Sequence, residues 1–446
     1  MNLQNLLTGA LALALTGSAL GQVTVDITGS TAFRAAALDT IRARYLASGQ
    51  PFKYAHDAAA GAFNGSTRSI WNGTFNGISN VTIRCSFNGS VEGISSLVDI
   101  PASNQLYLDK PEAFVAATPI VNGTEVPLTN WPLIAAQSEA AFSDVSIAST
   151  PFVNNPNAPW DTWDDLVAVV VFAMVANEGA PSTLTSITSQ GCRALFGTGA
   201  QDLSLLTGKS ADAGNFVFAT GRNDGSGTRT AYLAETSYGI SIPVNQYTVL
   251  TSTSTAITSI QRVPAGGVND SNPGLPGIQP YPGQSTANSS MIWGQDIDGN
   301  GGYSSGSALR ADMGKTSTAV QVRGANYAVE IASTPLTLVT WLSLNDAVPA
   351  RMSGAKILGY DGVSLPSLTT GTVLSAADKA EVIYGHYAAW SFEHLFSRRV
   401  PGLSGIEESI VQNIRENVPN NLAIAGIPLG DMAVGRAGAD GSTIQP

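Results

Sequence analysis

Residues 23–46 read VTVDITGSTAFRAAALDTIRARYL. Val23, Val25 and Ile27 alternate with polar residues, the two-residue period of a half-buried strand. Gly29-Ser30-Thr31 then breaks that period and offers a hydroxyl as a helix cap. Phe33, Ala37, Ile41 and Tyr45 recur at four-residue spacing with Leu38 beside them, the stripe of an amphipathic helix. The stretch predicts a strand, a Gly/Ser/Thr loop and a helix in immediate succession.

The same grammar returns twice. Val81, Ile83, Cys85 and Phe87 alternate before Asn88-Gly89-Ser90 leads into VEGISSLV, predicting a short helix with Ser90 at its cap. Residues 215–220, NFVFAT, run into GRNDGSGT and then RTAYLAETSYG, with Ser226 or Thr228 as the cap and Gly239 as the stop. Strands alternating with helices predict an α/β protein with largely parallel sheets. Residues 166–176, LVAVVVFAMVA, are too few for a membrane span and predict a buried strand. Residues 376–398, AADKAEVIYGHYAAWSFEHLFSR, show a further helical pattern. Residues 100–137, rich in Pro and Asn, read as an insertion. Residues 250–295, Ser/Thr-rich and then Gly/Pro-rich, read as an extended surface excursion.

Composition bounds the rest. The 446 residues carry 22 Lys+Arg against 33 Asp+Glu, a formal net charge of -11, with 12% charged and 43% hydrophobic residues. That is too apolar for a disordered chain and too acidic for a nucleic-acid binder, whose affinity comes from Lys and Arg on phosphates. At roughly 100–200 residues per domain, the length suggests two domains. Residues 6–20, LLTGALALALTGSAL, form an uncharged apolar run, and Ala19 and Gly21 bracket a cleavage point, so residues 1–21 read as a signal peptide. No cysteine follows the run at once, and no membrane anchor is expected. Cys85 and Cys192 are compatible with one disulfide in an oxidising compartment but are no disulfide framework.

Gly/Ser/Thr loops at helix starts have a physical use. The first backbone N–H groups of a helix lack intrahelical partners, and the helix dipole places partial positive charge there. Phosphate can be held by such neutral groups with little help from Lys or Arg. Here three such loops occur in one chain, and one carries Arg222 four residues before Ser226-Gly227-Thr228.

At this point the sequence resembles a known family. GRNDGSGTRTAYLAE is similar to the R-x-x-x-SGT helix start of the phosphate-binding subunits of bacterial ABC importers, type II periplasmic solute-binding proteins. GSTAFRAA resembles that family's first loop, SFNGSVEGI its second, and AFSDVSI its Ser-Asp strand end. LVAVVVFAMVANEGAPSTLTSITSQGCRALFGTG and GGYSSGSAL are similar to stretches of its second domain. The matches keep family order over residues 23–308, and residues 384–396 add a Trp/Tyr/His segment. The resemblance implies two α/β lobes joined by crossover hinge strands. Lobe 1 would be residues 22–163 plus 343–446, and lobe 2 residues 164–342. It implies a monomer in the periplasm or secreted, inorganic phosphate as ligand, an ABC permease as partner, and no cofactor. The implied ligand contacts are Ser30, Thr31, Phe33 through its backbone, Ser90, Asp144, Arg222, Ser226, Gly227 and Thr228. Arg222 supplies a planar charged fork for two oxygens. Asp144 can accept a hydrogen bond that protonated phosphate donates and sulfate cannot, which makes it a selectivity filter.

Other readings remain open. Ser30, Ser90 and Ser226 could simply cap helices, Asp144 could be a turn residue, and Arg222 could pair with Asp224. The same fold could serve a surface or matrix protein without transport. Gly302-Tyr303-Ser304-Ser305-Gly306 matches the G-x-S-x-G elbow of hydrolases, with His386 or His394 as base, which would make a secreted phosphatase or esterase. Asp296, Asp298, Asn300 and Gly301 begin like a calcium loop, but Ser307 stands where Glu is required. His56 stands alone, and no His/Cys metal cluster is expected.

Overall fold

The computed structural model describes residues 22–98, 105–127, 131–263, 301–324, 328–422, 424 and 426–446. The leader read in residues 1–21, the Gly/Pro-rich 264–295 and the acidic 296–300 lie outside the described residues.

The opening stretch folds as its pattern predicts, into β1 (Val23–Gly29) and α1 (Arg34–Ala47). β2 (Phe52–His56), β3 (Arg68–Phe75) and β4 (Ile78–Ser86) form an antiparallel meander. Asn76-Gly77, both at positive φ, make its tight turn, where the backbone twist suits the flanking strands. β4 then pairs parallel with β1 and leads into α2 (Ser90–Leu97). In the stretch read as an insertion, β5 (Gln105–Leu108), α3 (Glu112–Ala116), β6 (Thr124–Glu125) and β7 (Leu133–Ala136) follow. They cover a separate small core of Ala55, Ile70, Leu108, Phe114 and Val126. β8 (Ala140–Ser143) returns beside β1, parallel to it.

β9 (Leu166–Ala176) is buried along nearly its whole length, as its unbroken apolar run requires of a strand covered on both faces. Beyond it come β10 (Ser186–Ile187), α4 (Ser189–Thr198), β11 (Ala200–Asp202), α5 (Leu203–Thr207), β12 (Phe216–Ala219) and α6 (Gly227–Glu235). β13 (Tyr247–Ser252) and β14 (Ile257–Arg262) form a hairpin. It is joined by β15 (Val320–Arg323) and β16 (Val329–Thr334) in a four-stranded sheet, after α7 (Gly306–Met313). β17 (Leu336–Ser343), α8 (Leu344–Met352), β18 (Lys356–Tyr360), α9 (Ser367–Thr370), α10 (Ala376–Ile383) and β19 (Trp390–Ser397) come next. α11 (Gly405–Asn417), β20 (Gly426–Ile427), β21 (Gly435–Arg436) and β22 (Ile444–Gln445) close the chain.

Fourteen strands join in one mixed sheet, ordered β11-β12-β17-β9-β19-β8-β1-β4-β3-β2-β6, with β10, β18 and β20 branching from it. β9 is shared by its two halves. Its first residues pair with β19 and β20, and residues 172–176 pair with β17 and β18. This is the α/β class expected from the sequence, with one strand crossing between two sheet regions, but the sheet is not largely parallel: β2, β3 and β4 form an antiparallel meander, and β9 runs antiparallel to β17, β18, β19 and β20.

Three other expectations change. Residues 376–398 are helical only to Ile383. Gly385, at φ 75, turns the chain, and β19 follows, flanked by β8 and β9. A strand buried on both faces has no alternation to tell it from a helix. Residues 250–262 are not an open excursion but most of the β13–β14 hairpin. Cys85 on β4 and Cys192 on α4 are both buried and free, so no disulfide links them.

Candidate functional site

The three Gly/Ser/Thr loops meet. In the first, Ser30 accepts a hydrogen bond from the Phe33 N–H at 3.2 Å; Phe33 is itself the N-cap of α1, and no side chain caps that helix. Gly29, at φ 114, has no room for a Cβ, which would lie 1.9 Å from the Phe142 carbonyl. In the second, the predicted cap shifts by one: Gly89 takes the N-cap position of α2, and Ser90 is the first helical residue. Freed from capping, the Ser90 hydroxyl donates to Asp144 Oδ1 at 2.5 Å, and the Asp144 N–H donates to Ser90 Oγ at 3.2 Å. In the third, Ser226 is the true N-cap of α6, accepting from the Arg229 N–H at 3.3 Å. α6 ends at Glu235, four residues before Gly239, the predicted stop.

Asp144, at the end of β8, ties these loops together. Its Oδ2 accepts from the Thr228 hydroxyl at 3.0 Å, and its carbonyl from Ser391 Oγ at 2.7 Å. Gly227 is required there, since a Cβ would fall 1.8 Å from Asp144 Oδ1 and 2.5 Å from Ser90. The Glu92 N–H donates to the Gly225 carbonyl at 3.1 Å, which locks the second loop against the third.

Arg222 reaches across from the third loop to the first. Its Nη1 donates to Thr31 Oγ1 at 2.8 Å, its Nε to the Tyr303 carbonyl at 2.9 Å and its Nη2 to the Ser304 carbonyl at 2.7 Å. The Arg222–Asp224 pair considered from the sequence is replaced by these bonds. Gly302–Gly306, read alternatively as a hydrolase elbow, supplies the two carbonyls, and Ser305 caps α7. Among the described residues no group of three or more His, Cys, Asp or Glu could hold a metal ion.

Arg222, Asp144, Ser30, Thr31, Ser90, Ser226 and Thr228 are all buried. Burial pushes the Asp144 carboxyl up, against the lowering effects of the Ser90 and Thr228 hydroxyls and the Arg222 charge. Burial likewise brings the Arg222 guanidinium down to about 10, although Asp346 and Asp144 favour its charge. The structure thus gathers the Ser/Thr, Asp and Arg positions singled out in the sequence, with Phe33 joined through its N–H.

Sequence reading missed four neighbours. Arg34, the first residue of α1, is buried near Asp346, and its Nη1 has no hydrogen-bond partner. A cation at a helix N-terminus opposes the dipole and signals an anionic companion; that oddity was visible in GSTAFRAA. Asp346 pairs with Arg310 at 3.1 Å, and Gly306 leaves it room, since a Cβ would lie 2.0 Å from its Oδ2. Glu393 is fully buried beside Ser30, its carboxyl pushed well up by burial and by the Asp144 charge.

No family model matches the chain, and no curated protein matches its sequence. Among solved structures it is similar to a putative phosphate ABC transporter substrate-binding protein with bound phosphate from Clostridium perfringens (11% identity over 91% of this chain and 99% of that one, TM-score 0.39). It is similar also to an ABC-type phosphate transport receptor from Vibrio cholerae (10%, 90% and 96%, TM-score 0.36). A third is PstS from Borrelia burgdorferi (11%, 91% and 99%, TM-score 0.34).

Proposed function

We propose that this chain is an exported solute-binding protein of the type II periplasmic class that captures inorganic phosphate between two α/β lobes and does not catalyse. The observation that carries the reading is the convergence of three helix starts, α1, α2 and α6, on Arg222 and a buried Asp144. Backbone N–H groups, hydroxyls and one guanidinium can bind a tetrahedral oxyanion, and the carboxylate can accept a hydrogen bond from the O–H that phosphate still carries near neutral pH. On binding, the ligand would replace the bonds these side chains now make to one another.

The sequence draws the lobes as residues 22–163 plus 343–446 and residues 164–342, and we keep that division except at the return after 342, with β9 as one crossing strand. Because β18 pairs with the second half of β9, we place the return into lobe 1 nearer β19. Phosphate would be passed to an ABC permease from the periplasm or cell exterior. No helix among the described residues is long and apolar enough to cross a membrane.

A second reading, a surface or matrix protein that keeps its ligand, draws on the C-terminal hairpin. Arg436 bonds the Ala388 carbonyl before β19, the carbonyl of Trp390, its first residue, and Glu235 at the end of α6, while Asp440 accepts from Ser146. Gly441 lies so close to α6 that a Cβ would meet the Ala234 carbonyl at 2.3 Å. A hairpin fastened on both sides opposes opening.

Calorimetry with phosphate, sulfate and arsenate tests the function. Saturable phosphate binding without turnover and with weaker sulfate binding is expected; no heat with any of the three oxyanions would refute it.

A further inference from the structure

A cavity of about 350 Å3 opens on the face of β19 turned away from Asp144. Successive side chains of a strand point to opposite faces. Ser391 and Glu393 therefore serve the Asp144 side, while Phe392 and His394 line this cavity. Trp163 and Phe392 form an aromatic wall, their rings edge to face at 6.1 Å, and the Trp163 ring is largely in solvent, with 76% of the residue exposed. Asp161 and Asp440 face them. Asp161 Oδ2 accepts from the Ile147 N–H at 3.1 Å, and Asp440 Oδ2 from the Ser146 N–H at 2.8 Å and its hydroxyl at 3.0 Å.

Among the described residues, nothing at the cavity neutralises those two carboxylates. His394 is 3% exposed, its Nδ1 makes no hydrogen bond, and the Asp161 carboxylate oxygen paired with it stands at 3.5 Å. Burial brings its imidazolium down to about 4, so near neutral pH it carries no charge. Arg436, the cation at the rim, is already held by Glu235 and by three carbonyls. Burial and the nearby Asp440 charge push the Asp161 carboxyl up to about 6, a repulsion that a bound cation would relieve. Metal coordination is not the fit: no metal-holding set of three such residues occurs among the described residues. Aromatic faces beside carboxylates suit a different cation, a weakly hydrated one with a carbon surface.

We propose that this cavity binds a small organic ammonium ion, its charged head between Asp161 and Asp440 and its methyl or methylene groups against Trp163 and Phe392. The volume lies at the low end for small-molecule sites, which suits an ion of choline's size and not a peptide.

The test is calorimetry on the full chain with tetramethylammonium, choline and 3,3-dimethylbutan-1-ol, the uncharged carbon analogue of choline. Both cations should bind saturably at neutral pH, with the alcohol at least about tenfold weaker. Trp163→Ala and Asp161→Asn should each weaken choline by about tenfold. The amide of the second variant keeps an oxygen for the Ile147 N–H, and Trp163 is a surface ring. Unchanged melting curves for both variants show that the fold survives. The inference is overturned if neither cation binds, if the alcohol binds as well as choline, or if both folded variants bind choline like the parent.

Discussion

Asp144 is buried, accepts two hydroxyl hydrogen bonds and stands in the field of Arg222. Another acceptor brought against such a carboxylate repels it, whereas a donor joins it. Phosphate near neutral pH offers an O–H, and sulfate offers none. Asp144→Asn supplies an amide donor in its place, so the preference for phosphate over sulfate should shrink by at least about tenfold in competition calorimetry. An unchanged ratio would remove Asp144 from ligand contact. At this scale much of the site was legible, because Ser90, Asp144, Arg222 and Ser226-Gly227-Thr228 all sit where a strand gives way to a loop or helix, and that junction is local sequence. Asp346 and Glu393 were not legible. Each is brought to loops near residue 30 by contacts spanning more than 300 residues, and no local pattern carries that.

The helix starts that build the site are also stability elements. Ser226→Ala removes the acceptor for the Arg229 N–H and should destabilise the chain by about 1 kcal/mol, seen as a lower midpoint in denaturant. α2 adds a pH dependence through Glu92, whose carboxyl burial pushes up to about 7 from an ordinary 4.5. A carboxyl raised on folding contributes its full stability below the unfolded value and loses it as pH rises through the folded one. Melting temperature should therefore fall between about pH 4.5 and 7, and Glu92→Gln should flatten that fall. His394 acts in reverse: its pKa drops to about 4 on folding, so its contribution is lost as pH falls below about 6.5. Elements differed in legibility as well. β1 and α1 announced themselves by a change of period, whereas β19 passed for helix because its residues are mostly buried and leave no polar alternation.

Across the whole molecule, the net charge of -11 argues against an anion ligand only if charge is averaged. Dipoles, hydroxyls and Arg222 act within a few ångströms, while the surface charge acts over roughly a Debye length, about 8–10 Å in ordinary salt. The C-terminal hairpin works at this scale too. Removing residues 435–446 deletes Arg436 and Asp440 and their ties to α6, to the start of β19 and to Ser146. The truncated chain should release phosphate several-fold faster in stopped-flow exchange, with the pairing of β1, β4 and β8 intact. An unchanged release rate would end the retaining role given to the hairpin.

β9 has a further consequence. Its backbone is bonded on both sides, to β19 and β20 over its first half and to β17 and β18 over its second. Neither sheet region can melt without stripping partners from a strand the other still uses, so their unfolding is coupled. Calorimetric heating should show one transition, not two. In deuterium exchange the amides of residues 169–175 should be the slowest in the chain, because they open only when the whole molecule does.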